Sequence, residues 1–245
     1  SRGLGDVYKR QVLKLRAELI NLLKKEFNVD PDKGAHERFL SLEMAWLSNT
    51  LLRAFVLSPR LGQISADLLS VPAIRLYHDN VLAKQAGCGR TPWHFDDQHF
   101  PLDTNDVVTA WIPAQPTPVE MGPLSFAYPL EVHKLVNAVK FEKAGVGYDR
   151  GVSEVFAKND VTINETPFEL GEVSFHHNLN FHTASQNRTN RSRVVLANTY
   201  YKDGARVINS PTMISGDWQK FMPNVKPGDL AASPLNPICW PVDDE

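Results

Sequence analysis

Residues 73–84, AIRLYHDNVLAK, mark the point at which this chain of 245 residues changes character. Upstream of Ala73, apolar residues recur every three or four positions. From Ala73 onward, short runs rich in Val, Ile, Thr, Trp and Phe alternate with Pro, Gly, Asn and Asp. The first pattern belongs to helices that bury one face, the second to short strands bounded by turns. Strands are predicted at Ala73–His78, Asn80–Lys84, Val107–Ile112, Leu124–Tyr128, Glu172–His176 and Arg193–Tyr201. Their shortness and regular turn signals predict an antiparallel sandwich or barrel of jelly-roll type.

The helical half reads outward from the same boundary. Val12, Leu15, Leu19, Leu22, Leu23 and Phe27 fall on one helix face, and Asp30-Pro31 breaks the pattern. A second helix is expected over roughly His36 to Leu57, stopped by Pro59, and a third over about Leu61 to Leu69. The fold class is therefore α+β: a double-stranded β-helix (jelly-roll, cupin-like) core with N-terminal helices packed on it. One domain is expected over 12–245, with a helical layer at about 12–70 and the jelly roll at about 71–245. Residues 1–11, SRGLGDVYKRQ, resemble a translated sequencing adapter and are set aside; the natural N-terminus is then expected further upstream. Lys134 to Asn159 is more polar and reads as a lid, with Gly145 and Gly147 as hinges.

Composition narrows the function classes. A formal net charge of −2 gives no electrostatic footprint for nucleic acid or an anionic membrane. No apolar run is long enough for a spanning helix. Two cysteines, Cys88 and Cys239, are too few for a disulfide framework or a cysteine-based zinc site, and fit a reducing, cytoplasmic compartment.

Two segments carry chemistry. In Thr91-Pro92-Trp93-His94-Phe95-Asp96, an extended chain would put His94 and Asp96 on one face of a strand, as two ligands for a divalent metal. A third ligand should come from an opposing strand. The segment 171–193, GEVSFHHNLNFHTASQNRTNRSR, offers His176, His177 and His182, then a polar turn, then the strand RVVLANTYY. Two His and one Asp on one face leave three coordination positions open, the facial triad of non-haem Fe(II) oxygenases. Those positions accept a bidentate 2-oxo acid and dioxygen. The distal carboxylate of such an acid needs a buried cation, and Arg193 is placed to supply a bidentate fork. Two other readings use the same residues: a non-catalytic jelly-roll binding module, and a zinc-dependent hydrolase. The spacing of His177 and His182 is not that of a helical zinc site.

From Val71 to Pro241 the chain resembles the phytanoyl-CoA dioxygenase family of Fe(II)- and 2-oxoglutarate-dependent oxygenases. TPWHFDDQHFPLDT resembles the family's Thr-Pro-Trp-His-x-Asp block. VTAWIPAQPTPVEMGPLSFA resembles its tryptophan strand and the Gly-x-Leu-x-Phe turn. HTASQNRTNRSR has the family's His, Asn five residues on, and Arg eleven residues on; YYKDGARVINSP resembles its late strand. The resemblance implies His94, Asp96 and His182 as catalytic iron ligands and Arg193 as partner of the 2-oxoglutarate distal carboxylate. It implies Trp111, Asn80 and Lys84 as further contacts of the co-substrate. It also implies Fe(II), 2-oxoglutarate and dioxygen as the reactive set, and hydroxylation of a small organic substrate with release of succinate and CO2. Halogenating relatives carry a small residue where Asp96 stands. Two departures are visible: Ala184 where some members carry Ser, and Tyr128 to His133 where relatives usually have Gly-Ser-His. No basic cluster advertises the phosphates of CoA.

Overall fold

The computed structural model describes residues 6–33, 37–140, 147–211 and 216–242. Two antiparallel sheets face each other. The larger has the order β1 (Phe39–Glu43), β2 (Ile74–Lys84), β9 (Arg193–Lys202), β4 (Val107–Pro113), β7 (Ser174–His177), and β10 (Ile238–Trp240) also pairs with β2. The smaller has the order β3 (Thr91–His94), β8 (His182–Ala184), β5 (Leu124–Tyr128), β6 (Thr162–Glu165). This is the expected jelly roll.

Alternation sorts the residues of the large sheet. On β9, Val194, Leu196 and Tyr200 enter the cluster beneath the helices, whereas Val195 and Ala197 face inward beside Trp111 and Ala184. On β4, Val108, Ala110 and Ile112 go to the helices and Trp111 goes inward. Strands buried on both faces carry apolar runs with no polar side to display, which is why RVVLANTYY reads as continuous.

α1 (Asp6–Phe27) runs through the boundary expected at Gln11. Its Leu15, Leu19 and Leu23 are fully buried against the outer face of the large sheet. Each such leucine contributes about 1.5–3 kcal/mol. α3 (Pro59–Leu69) is close to its expected extent. Ser58 caps it by accepting from the Leu61 amide at 3.4 Å, and Pro59 occupies its first turn.

The second expected helix is corrected. Phe39–Glu43 is a strand, β1, paired antiparallel with Asn80–Lys84. A 3-10 turn (Ala45–Leu47) follows, and only Thr50–Val56 forms a helix, α2, capped by Asn49 accepting from Leu52 at 3.0 Å. The stretch Phe39-Leu40-Ser41-Leu42-Glu43 alternates, and the exposed edge of β2 supplies partners that a helix could not use. Met44 at φ 58° ends the strand, and its amide bonds the Asp79 carbonyl. The predicted pair Ala73–His78 and Asn80–Lys84 is one strand, and its register with β9 shifts between Leu76 and His78, inside the first of the two runs.

The expected lid holds α4 (Val132–Leu135) and α5 (Gly147–Lys158). Gly147 opens α5; Gly145 lies outside the described residues. α5 is docked: Tyr148, Val152 and Phe156 are buried with Phe181 and pack against Trp93 and Phe95. The Tyr148 hydroxyl donates to the Trp93 carbonyl at 2.8 Å, and Arg90 pairs with Asp149 at 2.6 Å. The helix thus braces the strand that carries His94.

Candidate active site

Sheet register creates the site. Antiparallel pairing of β3 with β8 puts His94 directly opposite His182. Their rings lie 4.2 Å apart. Asp96 is not extended, contrary to the strand geometry expected for it. It follows β3 with φ −89° and ψ −14°, at the start of the 3-10 turn Asp97–His99. The Asn178 carbonyl, beyond β7, fixes that turn by accepting from the amides of Asp96 at 2.8 Å and Asp97 at 3.1 Å. The carboxylate is thereby swung back onto the imidazoles: Oδ1 is 3.6 Å from His94 Nε2 and 3.9 Å from His182 Nε2. One donor atom from each of His94, Asp96 and His182 lies within 4.8 Å of the others.

The donor set suits a divalent metal. His94 Nδ1 donates to the Pro92 carbonyl at 2.8 Å, and His182 Nδ1 to the Asn180 carbonyl at 2.9 Å. The protons are held at Nδ1, so both Nε2 lone pairs face the common point. Burial, helped by the neighbouring His182, lowers the His94 pKa to about 4. Burial also lowers that of His182. Both rings are neutral at pH 7. Burial pushes the Asp96 carboxyl up, but His182, His176 and His94 outweigh it and hold the group well below the carboxylate range. Two neutral imidazoles and one carboxylate oxygen are the ligands Fe(II) takes in facial-triad enzymes.

His176 belongs to the same centre. Its Nε2 stands 3.5 Å from Asp96 Oδ2, and its ring is 4.8 Å from that of His182. Phe126, on β5, covers His176 and His182 at 5.6 and 6.1 Å. His176 stands behind Asp96, and Asn178 supports the turn and donates to Asp97 Oδ1 at 3.0 Å. His177 projects from the other face of β7, and its Nδ1 accepts from the Leu179 amide at 3.1 Å. Gln98 and His99 are exposed.

A second group forms where β2 and β9 end and begin. Lys84 and Arg193 are cross-strand partners, 1% and 2% exposed. Lys84 Nζ donates to the carbonyls of Ala184 at 3.2 Å and Ser185 at 2.8 Å. Arg193 donates to the Gly122 carbonyl, its guanidinium lies 5.2 Å from the centre of the Trp111 ring, and its Nε has no partner among the described residues. Burial and the adjacent Arg193 lower the Lys84 pKa to about 7, and burial lowers that of Arg193 to about 10. Cations crowd here, and among the described residues no carboxylate offsets them. The arrangement calls for an anion. Asn80 lies on the same face as Lys84, four residues earlier, and its Oδ1 accepts from Ser41 at 2.9 Å.

The turn between His182 and Arg193 is built as expected. Asn187 is fully buried, and its amide donates to the carbonyls of Lys84 at 2.9 Å and Arg191 at 2.7 Å. Arg188 and Arg191 are exposed. The start of β9 is pinned from α1: Arg16 pairs with Asp32 at 2.9 Å, and Asp32 accepts from the Ser192 amide at 3.2 Å. Reading by residue type missed the carbonyls of Pro92, Asn180 and Gly122. Any residue supplies a carbonyl, so only Gly122, at φ 70°, leaves a trace in the sequence.

The sheet architecture, the triad and the buried cations define a class: the non-haem iron, 2-oxoglutarate-dependent enzymes. The sequence model of the phytanoyl-CoA dioxygenase (PhyH) family matches residues 7–195, and the chain belongs to that family. No curated protein matches it by sequence. Solved structures share its fold. The carbocyclase SnoK from nogalamycin biosynthesis, described as non-haem and alpha-ketoglutarate-dependent, has a TM-score of 0.73 at 24% identity, covering 97% of this chain and 89% of its own. The epimerase SnoN, solved with Fe3+, alpha-ketoglutarate and nogalamycin RO, has a TM-score of 0.66 at 21% identity over 94% of this chain and 89% of its own. EctD from S. alaskensis, solved with 2-oxoglutarate and 5-hydroxyectoine, has a TM-score of 0.64 at 13% identity over 96% of this chain and 83% of its own.

Proposed function

We propose that this protein hydroxylates a small organic substrate, consuming 2-oxoglutarate and dioxygen and releasing succinate and CO2. The observation that carries the reading is the convergence of His94, Asp96 and His182 on one point, beside a buried anion cradle. Fe(II) and 2-oxoglutarate, when bound, supply the oxidative chemistry. The chain supplies the rest. His94 and His182 present Nε2, held in that tautomer by the carbonyls of Pro92 and Asn180. Asp96 offers one oxygen. Arg193 takes the distal carboxylate of the keto acid, Lys84 adds a second positive charge, and Trp111 forms the wall against which the acid lies. Asn80 contributes from the same strand face. Phe126 keeps bulk water off the histidines.

A retired scaffold would have no reason to keep two buried cations, and a zinc hydrolase would have no use for them. A small-molecule substrate is supported by likeness to SnoN and EctD, solved with nogalamycin RO and with 5-hydroxyectoine respectively. A cytoplasmic setting is supported by two free, buried cysteines. Among the described residues, no helix is long and apolar enough to cross a membrane.

The test is anaerobic visible absorption on adding Fe(II) and then 2-oxoglutarate. A weak charge-transfer band that disappears in His94→Ala supports chelation at this centre, and succinate release then serves to screen substrates. Folded, iron-loaded protein without such a band would sink the oxygenase reading.

A further inference from the structure

We infer that His176 is a positioning residue for Asp96, holding one carboxylate oxygen so that only the other faces the metal. The inference rests on the iron reading above and goes beyond its ligand set. The two oxygens of Asp96 are already divided. Oδ1 looks toward the Nε2 atoms of His94 and His182, and Oδ2 looks toward His176 Nε2 at 3.5 Å. An ionised carboxylate accepts hydrogen bonds and cannot donate them, so His176 Nε2 carries the proton. Contacts of this length are common in active sites before their ligands bind, and shorten afterwards.

Three features make the imidazole a fixed support. It sits on β7, paired with Thr109 of β4, and β4 is held on its other side by β9. Its side chain is 4% exposed, between Phe126 and His182. Its Nδ1 is buried with no hydrogen-bond partner among the described residues, so none of them competes for the ring. A histidine buried with one nitrogen unsatisfied is costly, and an apolar residue would fill the space with less penalty. The contact to Asp96 is what the imidazole adds.

The consequence is coordination number. An untethered carboxylate can bind a metal through both oxygens and occupy two positions. A carboxylate held at Oδ2 binds through one, which leaves three positions for a chelating keto acid and dioxygen.

The experiment is calorimetric titration of the metal-free protein with Co(II) alone, with the visible Co(II) spectrum recorded in parallel. His176→Gln keeps an N–H donor near the position of Nε2; His176→Phe keeps the bulk and removes the donor; His176→Asn is polar but too short to reach. We expect Phe and Asn to weaken Co(II) binding by about 10–100-fold and to alter the spectrum, and Gln to remain within about threefold of wild type. Thermal unfolding without metal reports on folding, and if His176→Phe does not fold, the Gln and Asn pair decides. Equal affinity and spectra in all variants would overturn the role and leave the triad standing. Equal loss in all three would overturn it in favour of His176 as a ligand. Wild-type protein that does not bind Co(II), or binds it unchanged in His94→Ala, would overturn the iron reading along with the inference.

Discussion

Arg193→Met should separate the stability of the empty protein from its affinity for 2-oxoglutarate. Arg193 is 2% exposed, opposite Lys84 in the β2–β9 register, and among the described residues no carboxylate balances either charge. Lys84 and Arg193, buried as cross-strand neighbours, repel when both are charged. Burying an unpaired cation costs several kcal/mol more. Against this, Arg193 makes one charged hydrogen bond, to the Gly122 carbonyl, worth about 1.5–3 kcal/mol, and a cation–π contact with Trp111 worth about 1–2 kcal/mol. These contributions oppose each other. The ligand-free variant should unfold in urea within about 2 kcal/mol of wild type, whereas removing one partner of a compensated buried pair costs about 3–5 kcal/mol. The ligand-bound state should respond differently. A bidentate guanidinium–carboxylate contact comprises two charge-assisted bonds, about 3–6 kcal/mol together, or about 10²–10⁴ in affinity. Anaerobic titration of the Fe(II) protein with 2-oxoglutarate reads that loss. A variant that loses more than about 3 kcal/mol when empty, yet binds 2-oxoglutarate within about threefold of wild type, would show that Arg193 is a structural cation and refute the cradle.

Three further outcomes follow from the same geometry. Gly122→Ala puts a Cβ at φ 70° and 2.2 Å from the Ser185 carbonyl oxygen; it should cost at least about 2 kcal/mol in chemical denaturation and weaken 2-oxoglutarate binding by displacing the carbonyl that holds Arg193. Asp79 is fully buried, and burial raises its pKa from 3.8 to about 7. The folded protein keeps this proton where the unfolded chain releases it. The stabilisation is therefore complete below about pH 4 and falls as pH rises toward 7, by about 4 kcal/mol over the window. Asp79→Asn should flatten that part of a stability–pH curve, and an unchanged slope would refute the assignment. Tyr148→Phe removes the bond from α5 to the Trp93 carbonyl, which should cost about 1 kcal/mol and speed amide exchange across α5, with metal affinity close to wild type.

Much of the centre was legible as residue types. His94, Asp96, His182 and Arg193 stand in segments whose order and spacing match a family pattern, and α1 and α3 announce themselves by their apolar stripes. The helical reading of Phe39–Glu43 failed because a short alternating run fits either period, and its true partner, Asn80–Lys84, is a strand edge distant in sequence. β6 and β10 went unread for a related reason. They are three or four residues long and exist because neighbouring strands pair with them.

What the sequence determined alone is the chemistry available: which side chains can bind a metal, which cation can take a carboxylate, and where strands replace helices. Those depend on side-chain identity and local periodicity. The tertiary structure decided their relations. Pairing of β3 with β8 brings His94 across from His182. A turn anchored by the Asn178 carbonyl, where an extended chain was expected, aims Asp96. Pairing of β2 with β9 sets Lys84 beside Arg193. Pairing of β7 with β4 fixes His176 behind the carboxylate. Each is a contact between distant segments, set by register and burial across the whole sheet, and no local window of sequence contains it.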